Sequence, residues 1–198
     1  MLYRLLFPEA IWRIKRPGMK AAYLTFDDGP IPEVTPQVLD ILDSYGVQAT
    51  FFMVGDNVRR HPELLDEVKR RGHTVGNHTM HHIQGMHCTW RTYARDIADA
   101  DAFIGRGKAL FRPPHGLMKR VQMRVVNARY NVVMYDVVTR DYSRRLTPEQ
   151  VFANVRRYAR DGSIIVFHDS LKSAPRTLEV LPRAIEWLRD NGFTLLPL

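Results

Sequence analysis

The stretch that decides the fold is Ala21-Ala22-Tyr23-Leu24-Thr25-Phe26-Asp27-Asp28-Gly29-Pro30, followed by a helical run to Gly46 and a second apolar run from Ala49 to Val54. The segment 21–26 is too short for a helix of its own and has the aromatic and apolar content of a buried strand. It ends on two acids and a Gly-Pro turn. Residues 36–45 then set Val38, Leu39, Ile41 and Leu42 at helical spacing and stop at Gly46, the residue type that most readily ends a helix in the left-handed conformation. Strand, polar turn, helix and strand make up the repeating unit of a parallel sheet, because a chain must cross back over the sheet before it can pair in the same direction.

Outward from that unit the pattern recurs. Further strands are predicted at 73–77, 109–112, 132–138, 163–168 and 193–198, with helices at 61–71, 89–104, 118–128, 147–160 and 175–191. The helix from Thr147 opens on a capping box, Thr147-Pro148-Glu149-Gln150, with proline at its first position. About seven alternations predict an α/β fold, either a closed or incomplete (β/α) barrel or an open doubly wound sheet. The length of 198 residues allows one full-sized domain. Hydrophobic and charged fractions of 45% and 25% argue against disorder, and the single Cys88 excludes an internal disulfide or a CxxC zinc site. No glycine-rich phosphate loop follows the first strand, which argues against dinucleotide and nucleoside-triphosphate chemistry.

The net charge is +8, from 29 Lys+Arg against 21 Asp+Glu. The cations are spread through helical segments without an RNP, helix-turn-helix or zinc-finger signature, so no nucleic-acid partner is expected. Residues 1–19 are apolar with interspersed cations, and their longest apolar run is broken at Pro8-Glu9. That is too short for a signal-peptide core or a membrane span, so the expected location is cytoplasmic or peripheral at the inner membrane face. The arm is expected to pack Trp12 and its leucines across one end of a catalytic domain spanning 20–198. Alternatively, Leu2, Leu5, Leu6, Ile11, Trp12 and Ile14, beside Arg4, Arg13, Lys15 and Arg16, form a segment that touches anionic lipid. A monomer is expected.

Catalytic groups of α/β folds gather at the carboxyl ends of the strands. Here those ends carry Asp27-Asp28-Gly29-Pro30, Asn77-His78-Thr79-Met80-His81-His82, Arg112-Pro113-Pro114-His115-Gly116, Asp136 with Asp141-Tyr142, and His168-Asp169. Adjacent aspartates repel unless a cation or hydrogen bonds compensate them. Histidines spaced like His78 and His82, with one aspartate, give a two-His-one-carboxylate set that leaves positions for water and substrate. Each cluster alone has an ordinary reading: a turn, a solvated histidine loop, a surface ion pair, a capped core histidine. Their convergence on one rim favours chemistry.

These residues resemble the polysaccharide deacetylase family, the NodB-homology domain of carbohydrate esterase family four. Thr25-Phe26-Asp27-Asp28-Gly29-Pro30 matches its TFDDGP motif, and His78-Thr79-Met80-His81-His82 its H-[ST]-x-x-H motif. Arg112-Pro113-Pro114-His115-Gly116 matches R-x-P-x-G, Asp141-Tyr142 stands where the family has Asp-Trp, and Val166-Phe167-His168 where it has L-x-H. The resemblance runs from about Lys20 to the C-terminus and implies a distorted or incomplete (β/α)7 barrel. It further implies a divalent metal, zinc or else cobalt or nickel, held by Asp28, His78 and His82. Asp27 would be the general base, oriented by Arg112, and His168 the general acid toward the sugar amine, paired with Asp141. The backbone N–H of His115 would face the developing oxyanion. Pro114, His115, Gly116, Tyr135, Tyr142 and Val166 would meet the substrate, with Tyr135 and Val166 replacing the family's Trp and Leu around the acetyl methyl, and with His115 and Tyr142 replacing Tyr and Trp. The implied activity is removal of N-acetyl groups from an acetylated amino sugar of peptidoglycan, chitooligosaccharide or a related glycan. The competing readings are an O-acetyl esterase on xylan-like sugars and a carbohydrate- or membrane-binding domain with a decayed site.

Overall fold

All seven residues of the first strand, β1 (Ala21–Asp27), are buried, as expected of an apolar run covered on both faces. A computed structural model describes residues 2–105, 107 and 109–198, residues 2 and 3 by backbone alone, so Met1 and the Leu2 side chain of the arm lie outside the described residues. After a short α1 (Leu2–Leu6) come β1, α2 (Thr35–Ser44), β2 (Thr50–Met53), α3 (Gly55–Arg60), α4 (Pro62–Arg70) and β3 (Thr74–Asn77). The chain continues through α5 (Trp90–Ile104), β4 (Leu110–Phe111), α6 (Arg120–Asn127), β5 (Asn131–Val132) and β6 (Val137–Val138). It ends with α7 (Pro148–Tyr158), β7 (Ser163–His168), α8 (Ala174–Asp190) and β8 (Thr194–Leu195).

The strands pair in parallel in the order β5-β4-β3-β2-β1-β7-β6, and β8 pairs with the first two residues of β1. The helices cover the sheet, and the fold is the incomplete seven-stranded barrel expected. One predicted strand is corrected. Residues 132–138, read as one strand, divide into β5, which pairs with β4 at one end of the sheet, and β6, which pairs with β7 at the other. A single run of chain therefore touches both ends of the sheet and draws it round. Just after the division the Asp136 N–H donates to Ile164 O of β7 at 3.0 Å, and its side chain accepts hydrogen bonds from Arg160 (2.7 and 3.0 Å) and Ser163 Oγ (2.7 Å). The last predicted strand, 193–198, shortens to Thr194–Leu195. Helix α3 is absent from the predicted elements, because Val58 is its only buried apolar side chain.

The predicted helix signals operate as physics requires. Thr147 accepts from Gln150 N and the Gln150 side chain accepts from Thr147 N. Gly46 and Gly72, after α2 and α4, have φ of +58° and +83°.

The arm joins the fold through backbone as well as side chains. Ile11 N donates to Val132 O and Met134 N to Ile11 O, so residue 11 pairs beside the β5–β6 break. Phe7, Ala10 and Trp12 are buried in one cluster with Met118, Met123 and Val126, and Trp12 Nε1 donates to Phe7 O at 2.9 Å. The leucines behave differently from expectation: Leu5 is 76% and Leu6 45% exposed. Replacing Trp12 with Ala should cost about 3 kcal/mol, in the range for deleting a buried aromatic, and lower the melting temperature by roughly 6–12 °C. An unchanged calorimetric midpoint would show that the arm does not contribute to the core.

Candidate active site

The β1–β7 register sets Asp27 directly beside His168, so the two strand ends that carry the candidate base and acid are neighbours before any loop is considered. Both open onto a cavity of about 410 Å³, which also meets Asp28, His78, His82 and His115.

Asp27 is held from behind. Arg112, at the end of β4, is fully buried and donates from one terminal nitrogen to Asp27 Oδ1 and Thr25 Oγ1, each at 2.7 Å. Its other nitrogens reach the carbonyls of Val133 (3.3 Å) and Met134 (3.1 Å), and Phe52 lies under the guanidinium at 4.1 Å. The next residue, Asp28, turns away with a φ of +81°, so adjacent carboxylates face different partners. Asp28 Oδ1 lies 3.1 Å from His82 Nε2 and 3.8 Å from His78 Nε2.

Asp28, His78 and His82 offer three ligand atoms within 4.8 Å of one another. His78 Nδ1 donates to the Arg112 carbonyl at 2.8 Å, which leaves Nε2 with its lone pair toward Asp28. Burial pulls the His78 imidazole down to about 4, the charge of Asp27 opposing only in part, so it is neutral, the form that ligates a metal. Burial alone would raise the Asp28 carboxyl; the His82 hydrogen bond and the charge of His168 lead the effects that reverse this and hold it well below the usual carboxylate range. One ionised carboxylate and two imidazole nitrogens fit a divalent cation. His82 itself has a φ of +53°. Its neighbour His81 points elsewhere, 2.6 Å from Asp96, so the structure separates two histidines that adjacency alone could not.

On the opposite side His168 Nδ1 meets Asp141 Oδ1 at 2.7 Å. Asp141 is fully buried and accepts further from His168 N and Thr177 Oγ1, each at 2.7 Å. Burial would lower the His168 imidazole, but the charge and hydrogen bond of Asp141 dominate and push it up to about 9. Tyr142 stands edge-on to the His168 ring, 5.1 Å between centroids.

Of the remaining predicted positions, His115, Gly116, Tyr135, Tyr142 and Val166 line the cavity, whereas Pro114 is buried and is not part of its lining. His115 takes a φ of +58° and Gly116 one of +67°, and a Cβ on Gly116 would collide with the Tyr135 hydroxyl. Asp136, read as part of the rim, sits elsewhere in its contacts with Arg160 and Ser163. Thr25 belongs to the TFDDGP stretch, but its bond to Arg112 carries no sequence signal; sequence reasoning also missed Thr177, and Ser170 and Lys172, which enter the cavity through the loop after β7. It also missed the use of Asp169. That carboxylate accepts from Gly29 N (3.1 Å) and Thr35 Oγ1 (2.6 Å), its own N–H donates to Asp27 O (3.1 Å), and it leaves no room for a Cβ on Gly29.

Residues 14–133 match the family model described as polysaccharide deacetylase. The chain is 34% identical over 180 residues to a peptidoglycan-N-acetylglucosamine deacetylase of Bacillus cereus, covering 88% of this chain and 84% of that protein. It is also 34% identical over 197 residues to a chitooligosaccharide deacetylase of Sinorhizobium fredii, covering 90% of each. Among solved structures, the Bc1960 peptidoglycan N-acetylglucosamine deacetylase superposes with a TM-score of 0.91 at 25% identity, over 99% of this chain and 94% of that one. The peptidoglycan deacetylase PdaC from Bacillus subtilis does so with a TM-score of 0.80 at 32% identity, over 92% and 90%. With the family model matched across more than half of its length and the same barrel found in the solved relatives, this chain belongs to the polysaccharide deacetylase family.

Proposed function

We propose that this protein is a metal-dependent N-deacetylase, a hydrolase that cleaves the acetamide of an N-acetylated amino sugar in a glycan and releases acetate. The observation that carries this reading is the pairing of Asp27 with His168 across the β1–β7 ladder, each held by an opposite charge, Arg112 and Asp141, beside the Asp28–His78–His82 cluster. The names of the relatives, peptidoglycan-N-acetylglucosamine and chitooligosaccharide deacetylases, support the same substrate class.

Asp28, His78 and His82 would hold the divalent cation, with zinc the best match to two imidazoles and a carboxylate and cobalt or nickel as substitutes. When bound, such a cation supplies Lewis acidity toward the acetyl carbonyl and lowers the pKa of water. Asp27, compensated by Arg112, takes the proton from the attacking water. The His115 backbone N–H stabilises the oxygen on which negative charge develops. His168, whose Nδ1 is engaged by Asp141, delivers a proton from Nε2 to the departing nitrogen; an amine leaving group requires that proton, since an amide anion is too basic to leave. Tyr135 and Val166 enclose the acetyl methyl, while His115, Gly116 and Tyr142 face the sugar and Pro114 supports their loop.

Treatment with a chelator should abolish acetate release from N-acetylchitooligosaccharide, and added zinc or cobalt should restore it. Asp27→Asn should retain the bound metal, measured by elemental analysis, and lose at least about 100-fold in kcat, the contribution of a positioned base. Full activity in that variant, or acetate release from O-acetylated xylo-oligosaccharides alone, would overturn the proposal.

The acid arm makes a separate prediction about pH. The imidazolium of His168 persists up to about 9, so kcat/KM should fall on the alkaline side as pH rises through that region. Asp141→Asn removes the charge that raises the group, so the imidazolium is lost at lower pH. The alkaline limb should then move down toward the ordinary histidine value near 6.5. A limb that stays in place would remove His168 from the acid role.

A further inference from the structure

The excess positive charge is concentrated. Residues 1–20 and 102–135 carry 12 of the 29 Lys+Arg and one of the 21 Asp+Glu, Glu9; the rest of the chain is net acidic. The fold brings these two stretches together. Phe7, Ala10 and Trp12 pack with Met118, Met123 and Val126, Ile11 pairs with Val133, and the Arg120 guanidinium donates to the Leu6 carbonyl.

Arg112 is consumed by Asp27 and Lys119 by the Cys88 carbonyl, while Arg106 and Lys108 lie outside the described residues. Arg120, Arg124 and Arg129 are exposed, and no ion pair involving them or Arg4 is found among the described residues. Arg13 and Lys15 approach Asp136 and Asp161 no closer than 3.9 and 3.8 Å. Beside these cations stand Leu5, 76% exposed, with Leu6 and Val121, each 45% exposed. Arg124 falls one turn beyond Arg120 and Val121 on α6, hence on the same side of the helix.

A nucleic acid would use the cations and leave the aliphatic side chains in water. An anionic bilayer uses both, since guanidinium groups sit at lipid phosphates while leucines enter the acyl boundary. We propose that this composite face, α1 with the exposed side of α6, docks the protein onto an anionic membrane surface. Among the described residues no helix is long and apolar enough to cross a membrane, and the contact proposed is a peripheral one.

The test is co-sedimentation with phosphatidylcholine vesicles with and without phosphatidylglycerol. The protein should bind the anionic vesicles only, and less as salt is raised. Arg124→Gln should weaken binding about fivefold, the effect of one cation near such a surface. Leu5→Ser/Leu6→Ser should weaken it more than about tenfold by removing apolar burial. Both variants should melt like the parent and release acetate from soluble chitooligosaccharide at the parent rate, which separates this proposal from the deacetylase reading. Failure of the parent to bind anionic vesicles would overturn the proposal. So would vesicle binding that survives the leucine substitutions and is matched by binding to heparin, since the face would then be a general polyanion site.

Discussion

A guanidinium buried without water must have its charge and its donors answered by the protein, or it costs several kcal/mol. Arg112 is fully buried, and its partners come from separate parts of the chain: Asp27 and Thr25 on β1, and the carbonyls of Val133 and Met134 in the gap between β5 and β6. The second pair lies where the sheet is drawn round. One cation thus satisfies the backbone at the least regular point of the barrel and fixes a carboxylate in the site. Thr25 extends the connection by donating to Ile165 O on β7, so strands on both sides of the cavity are tied to the same group.

Two imidazoles face that cavity, His78 buried and His168 partly so, and desolvation acts on both in the same direction. What separates them is the partner at Nδ1. His78 has a neutral carbonyl there and stays unprotonated near neutral pH. His168 has the carboxylate of Asp141 and holds its proton. One residue type is therefore a neutral imidazole on one side and an imidazolium on the other, largely through the difference of a single hydrogen-bond acceptor.

Much of this was legible in the sequence because strand ends in an α/β fold are predictable places, and five of them carried polar clusters. The alternation of short apolar runs with helical spacing gave the layering, and only the resemblance to the family's H-[ST]-x-x-H motif pointed to His82 rather than His81. The run 132–138 was misread because apolar character reports burial and not which neighbour a strand pairs with. Only the three-dimensional closure reveals that Met134, Tyr135 and Asp136 form the break. Helix α3 escaped because Val58 gives it no periodic face. Thr177, Asp169 and Lys172 are common residue types whose roles depend on partners far along the chain, such as Thr177 on Asp141 and Asp169 on Gly29, so nothing local identifies them; Thr25 lies in the TFDDGP stretch, but only the fold reveals its bond to Arg112.

The seat that Asp169 makes for Gly29 bears on how the protein meets a reacting molecule. Because the Asp169 N–H holds the Asp27 carbonyl and its carboxylate holds the Gly29 N–H, the loop after β1 is clamped to the residue that follows His168. The separation of the Asp27 carboxylate from the His168 imidazole is thereby set when the chain folds. Dipoles and charges already in place need not be reoriented as charge moves, so little reorganisation energy is left to raise the barrier.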